Sequence, residues 1–315
     1  MGISALRYDY SISEAISEHQ AFEQKIEAAV RLCKSRSKSA SKAKKTQARL
    51  QTDRRWIRCL EQIQSHFGLR LPSQNENQPR ESQVSEENQE NAGIEIKPDE
   101  PAPHPTIHEP IFVSVDIECN ERCHLQMTEV GISILDTQDI QCIPPGQDAA
   151  NWTQRIQSRH FRVREYAHVV NHDFVAGCPD RFEFGKSQWV SRGELPLLIQ
   201  DYIMYLSSPS SDDGSARNLV FVGHNPSADI GYLQELKVPV FTELKDKPFF
   251  LETVDTAELF RVSRQEMTVR SLGNILAGLE MTAWHLHNAG NDARYTLQAM
   301  TMLAVNSQRE RSSIA

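Results

Sequence analysis

The chain has 315 residues, with 34 Lys+Arg against 42 Asp+Glu, a formal charge of −8 and 39% hydrophobic residues. That length suits one sizeable core with extensions, or two small domains. No apolar run approaches the 18 residues that a membrane span needs, and residues 1–10 lack the cationic start and apolar stretch of a secretory signal. The expectation is an intracellular protein of nucleus, cytoplasm or both, with no membrane partner.

Charge divides the chain into three. Residues 1–70 carry 14 Lys+Arg and 7 Asp+Glu, with the basic excess concentrated in residues 31–58. Ile16, Phe22, Ile26 and Val30 recur at largely three- or four-residue steps, and Trp56, Ile57, Leu60, Ile63 and Phe67 repeat the pattern. Two amphipathic helices are predicted, in a basic segment that could be a nuclear-import address, tether phosphates or dock a protein partner, a solvated helix face being the usual outcome for such a run. Residues 71–109 hold 9 acidic and 2 basic residues with hardly any large apolar side chain, the composition of a disordered acidic linker. The main domain is expected over residues 110–307, followed by a disordered tail at 308–315. Six cysteines (Cys33, Cys59, Cys119, Cys123, Cys142 and Cys178) are too sparse and irregular for a disulfide framework and read as reduced thiols.

Within the main domain, residues 111–117 form a short apolar strand and residues 127–135 a second, close enough to pair with it antiparallel. Alternation over 161–170 predicts a third. A helix at 195–206, a strand at 219–222, a helix at 227–236, a strand at 249–254 and helices after Asp255, Val269 and Gly290 complete the order. Three meandering strands followed by alternating helix and strand imply a mixed α/β sheet covered by helices, the order of a ribonuclease H-like fold.

Three segments carry the chemistry. Asp116 and Glu118 stand two apart at the end of an apolar strand, so both carboxylates share one face. Asp229 falls in the first turn of the helix that follows the 219–222 strand, where Asn225 or Ser227 could cap. Asp292 lies inside the start of the last helix, with His287 five residues earlier across an Ala-Gly turn. Four carboxylates beside an apolar strand repel one another unless a cation lies between them. They suit two Mg²⁺ or Mn²⁺ ions, the arrangement that stabilises attacking and leaving oxygens in phosphodiester cleavage. Histidine titrates near neutral pH, which lets His287 take a proton from the attacking water.

Other polar residues have structural readings. Asp255 reads as a helix N-cap, and Glu129 either flanks the site or pairs with Arg or Lys across the sheet, the second reading being preferred. His285 reads as a bystander. The alternating His160, Arg162, Arg164, His168 and His172 read as a half-exposed strand that could also contact phosphates.

The three segments resemble the motifs of the DEDD superfamily of 3′–5′ exonucleases: Asp116-Ile-Glu118, Gly223-His-Asn-Pro-Ser-Ala-Asp229 and His287-Asn-Ala-Gly-Asn-Asp292. The histidine five before the last aspartate is similar to the His subgroup, since the Tyr subgroup would have tyrosine at Asn288. Residues 161–174, 178–185 and 287–293 resemble more narrowly the fungal family named "good for full DEAD-box helicase activity", tied to messenger-RNA export. Two positions depart from the superfamily pattern. Residues 119–123 stand where many members carry Thr and then Gly, and Ala228 where a Phe often precedes the second-motif aspartate. The resemblance implies a metal-dependent exonuclease acting on single-stranded RNA or DNA 3′ ends, with Asp116, Glu118, Asp229 and Asp292 as metal ligands and His287 as base. The alternative is an inactive nucleic-acid-binding adaptor in messenger-RNA export or RNA metabolism.

Overall fold

The computed structural model describes residues 12–72, 95–209, 216–242 and 250–314, and the expectations for residues 73–94 lie outside that set. The chain divides into two compact units, residues 1–55 and 56–315. One helix, α1 (Ile12–His66), crosses their boundary where two helices were expected. The reason is plain in the sequence: residues 12–66 contain no Gly or Pro to stop a helix.

The second unit is a six-stranded mixed sheet in the order β4-β3-β2-β1-β5-β6. Strands β1 (Ile111–Asn120), β2 (Cys123–Asp136) and β3 (Gln157–Val163) form an antiparallel meander, with the short helix α2 (Ala150–Thr153) before β3. β4 (Gln188–Val190) adds parallel to β3. Helix α3 (Leu195–Ser207) leads to β5 (Leu219–Gly223), which pairs parallel with β1. Helices α4 (Ser227–Glu235) and α5 (Pro239–Thr242) precede β6 (Glu252–Asp255), parallel to β5. Helices α6 (Thr256–Ser263), α7 (Leu272–Gly278) and α8 (Ala289–Ile314) complete the unit.

The pleat sends alternate side chains to two separate cores. Ile111, Val113, Val115 and Ile117 pack with Ile132, Phe161, Phe221 and the buried faces of α3 to α5. Phe112, on the opposite face, joins Leu135, Trp152 and α6 to α8. Residues 56–70 belong to this second core: Leu60, Ile63 and Phe67 are buried, and Gln64 donates to the Ala304 carbonyl of α8 at 3.1 Å. Residues 95–109 pack here too. Ile96 is buried and its carbonyl accepts from Arg309. The compact unit therefore starts well before Pro110, and α8 continues through residues expected in a tail.

One strand is displaced from its expected position and another was not expected. β3 ends at Val163, because a 3₁₀ turn at Arg164–Tyr166 takes over the alternating segment. β4, only three residues long, leaves too little pattern to be predicted.

Candidate active site

Asp116 and Glu118 lie on the β1 face that carries Phe112, the face covered by α8. Opposite them on β2 stand Gly131 and Glu129. Gly131 is what lets the helix come down: a Cβ there would lie 1.9 Å from the Ala289 carbonyl oxygen at the start of α8. Gly290 makes the matching approach, since its Cβ would meet the His160 Cβ and the Phe182 ring at 2.7 Å. Two glycines thus set the first turn of α8, and Asp292 with it, against the carboxylate face.

Asp229 reaches the site from the other side of β1. Pairing of β1 with β5 stops at Ser114↔Val222, so the Ile117 amide has no strand partner there. Asp229 Oδ1 accepts from that amide at 3.1 Å, which fixes the carboxylate between the positions of Asp116 and Glu118. Neither Asn225 nor Ser227 caps α4. Pro226 holds the N-cap position with no side-chain bond, while the Ser227 hydroxyl donates to Asn225 Oδ1. Asp255 caps α6 as expected, accepting from Ala257 N, and its same oxygen accepts from Asn225 N, which steadies the turn ahead of Asp229.

The approach to α8 is built by asparagines. Asn288 and Asn291 are fully buried; Asn288 donates to the Cys178 carbonyl, and Asn291 donates to the Arg181 and His285 carbonyls and accepts from Glu183 N. They tie the loop carrying His287 to residues 178–183. His287, at φ 64°, donates its amide to Asp292 Oδ2 at 3.0 Å, while its side chain stays exposed. Its Nδ1 lies 3.9 Å from Glu118 Oε1, and one ligand atom each from Glu118, His287 and Asp292 fall within 4.8 Å of one another.

Carboxyl groups crowd this face of the sheet. Burial, then the charges of Asp229, Asp292, Glu118 and Glu129, hold the Asp116 carboxyl well above the usual carboxylate range. Burial pushes Glu118 up to about 8, aided by Asp292, Glu129 and Asp229. It pushes Asp229 and Asp292 up to about 7, against the lowering effect of the Ile117 and His287 amides. Asp292 Oδ1 is buried without a hydrogen-bond partner. Hard carboxylate oxygens that repel one another, one of them unsatisfied, fit a divalent cation.

Other residues found partners the sequence did not announce. Glu129 does not pair with the arginine opposite it, Arg162, which bonds Asp180 and lies over the Trp189 ring at 4.3 Å. Buried Glu129 instead bonds buried His160 at 2.8 Å, whose other ring nitrogen meets Ser187 Oγ. Arg164 donates to the Trp189 carbonyl and His172 bonds the Val170 carbonyl, so this cluster is largely spent on its own loops. His285 pairs with Glu183 at 2.6 Å and stands outside the acidic group.

Residues 111–303 match the family DEDDh_C, described as DNA polymerase III subunit epsilon-like, C-terminal domain. The chain belongs to the DEDDh family. That places it in an exonuclease-type superfamily whose members typically use divalent metal ions. It is 30% identical over 200 residues to Good for full DBP5 activity protein 2 of Saccharomyces cerevisiae, covering 59% of this chain and 34% of that protein. A second, uncharacterized protein of the same yeast is 28% identical over 205 residues, 61% of this chain and 41% of the relative. An uncharacterized nucleolar protein of Schizosaccharomyces pombe is 27% identical over 197 residues, 60% of this chain and 67% of the relative. The DEDDh chain therefore spans less than half the length of either budding-yeast relative.

Proposed function

We propose that this DEDDh chain is a 3′–5′ exonuclease that hydrolyses the terminal phosphodiester of single-stranded RNA or DNA. The observation that carries the reading is the closure of Glu118, His287 and Asp292 ligand atoms within 4.8 Å, beside the half-buried Asp116 and the buried Asp229. Asp116, Glu118, Asp229 and Asp292 would hold two Mg²⁺ or Mn²⁺ ions, which supply Lewis-acid stabilisation of the attacking and leaving oxygens. His287, exposed at the mouth and 3.9 Å from Glu118, takes the proton of the attacking water. A water oxygen bonds to phosphorus, the bond to the preceding 3′ oxygen breaks, that oxygen takes a proton from solvent to become a 3′ hydroxyl, and a nucleoside 5′-monophosphate leaves.

The fission-yeast relative is nucleolar by name, and a budding-yeast relative is named for DBP5 activity. The nucleolus is a site of RNA processing, so RNA is the first substrate to try. Digestion of end-labelled RNA and DNA strands with Mg²⁺ or Mn²⁺, and with EDTA, tests the reading. Asp116→Ala and Asp292→Ala abolish metal-dependent shortening, and His287→Ala lowers kcat by on the order of 10²- to 10⁴-fold. Digestion unchanged in both aspartate variants would overturn the assignment, and binding without turnover by the wild type would favour the adaptor.

A further inference from the structure

The tip of the β1–β2 hairpin holds a neighbouring loop in place, and that loop displays an aromatic ring. The Glu121 carboxylate accepts from three consecutive amides, His172 N at 3.3 Å, Asp173 N at 2.9 Å and Phe174 N at 2.9 Å. Asn171 grips the same tip from both ends of its amide, accepting from Glu121 N at 3.0 Å and donating to the Cys119 carbonyl at 2.6 Å. Arg122 adds an ion pair to Asp173. The loop closes on itself through Gly177 N to Asn171 O, and its next residue, Cys178, donates its amide to the His287 carbonyl.

Residues 171–178 are therefore moored at one end to the strand that carries Asp116 and Glu118, and at the other to the backbone of His287. Fixing this stretch costs chain entropy. No core residue is gained in return, because Phe174 is 80% exposed. A solvent-facing ring on a loop anchored at both ends beside an acidic, histidine-bearing centre has the properties of a stacking platform. Every base offers a π-face, and such stacking tolerates any sequence. Apolar area held in water on an anchored loop is available for burial by a partner ring, and the loop is already ordered before that partner arrives.

We infer that Phe174, presented by the Glu121–Asn171 mooring, stacks on a nucleobase of the single strand whose 3′ end occupies the carboxylate site. The substrate class rests on the exonuclease reading, but the stacking can be measured without catalysis.

The full chain is titrated, in Ca²⁺, with a short single-stranded RNA carrying 2-aminopurine at the last or the next-to-last base. The wild type binds and quenches the fluorescence of one of the two probes. Phe174→Ala and Phe174→Leu weaken binding roughly 5-fold or more and remove the quenching. Phe174→Trp retains both, which separates a π-face from mere apolarity. Circular dichroism of the variants stays that of the wild type, since the replaced side chain is exposed. Absence of wild-type binding, or affinity and quenching unchanged in Phe174→Ala, would overturn the inference. Quenching that depends on Phe174 without metal-dependent digestion leaves the platform standing and removes the exonuclease; digestion indifferent to Phe174 does the reverse.

Discussion

Four carboxyls raised above their ordinary range carry a thermodynamic cost that proton or metal can relieve. Unfolded, Asp116, Glu118, Asp229 and Asp292 titrate near the usual carboxylate value. Folded, Glu118 titrates at about 8, Asp229 and Asp292 at about 7, and Asp116 is raised as well. Between the two ranges the folded state binds more protons than the unfolded one, so stability falls as pH rises from the usual carboxylate range to about 8, where the loss is complete. Thermal melts in EDTA should therefore show Tm dropping from pH 5 to pH 8. Mg²⁺ or Mn²⁺ should restore more of it at pH 8 than at pH 5, because the ion displaces those protons. A metal-induced rise independent of pH would count against the coupling. These four acids were legible because a strand's period and a helix's first turn fix where their side chains go. The Glu129–His160–Ser187 chain was not, since it depends on sheet register and on Asp180 drawing Arg162 away.

Helix α8 and strand β2 meet at a distance that only glycine allows. Gly131 stands opposite Asp116, and the Ala289 carbonyl occupies the space its side chain would need. Gly131→Ala should force the start of α8 away from the sheet and destabilise the unit by about 1–3 kcal/mol, read as a lower urea midpoint. It should also lower metal affinity, measured by calorimetry, because Asp292 rides on that turn. Gly231, where an added Cβ would meet nothing within 4 Å, is the natural control. Elements with a full period, such as β1, β2, β5 and α3, were readable from their apolar spacing. The close approach of α8 was not, because a glycine in an apolar strand pattern signals a bulge as readily as a crossing helix. The end of β3 was obscured by Arg164–Tyr166, whose alternation continues that of the strand while its backbone turns.

At the scale of the molecule, the sequence's charge boundary and the structural boundary do not coincide. Charge changes sign near residue 70, whereas the compact unit begins at Trp56. Composition could not separate these, because Arg54, Arg55 and Arg58 continue the basic run across a helix that dips Leu60 and Ile63 into a core. A chain beginning at Trp56 should keep a cooperative melt, while one beginning at residue 71 should lose it. Phe67→Ala, which empties a site packed against Phe112 and Trp152, should cost about 3–5 kcal/mol by denaturant titration. A stable fold from residue 71 onward would refute this boundary. The bond from Gln64 to Ala304 spans 240 residues. On the ribosome, the apolar ridge of residues 60–67 emerges early, and its cover by Phe112, Trp152 and α8 is complete only when the last helix has been made. Synthesis halted before α8 leaves the part of that core that α8 covers open to water, a ready target for chaperones and for aggregation.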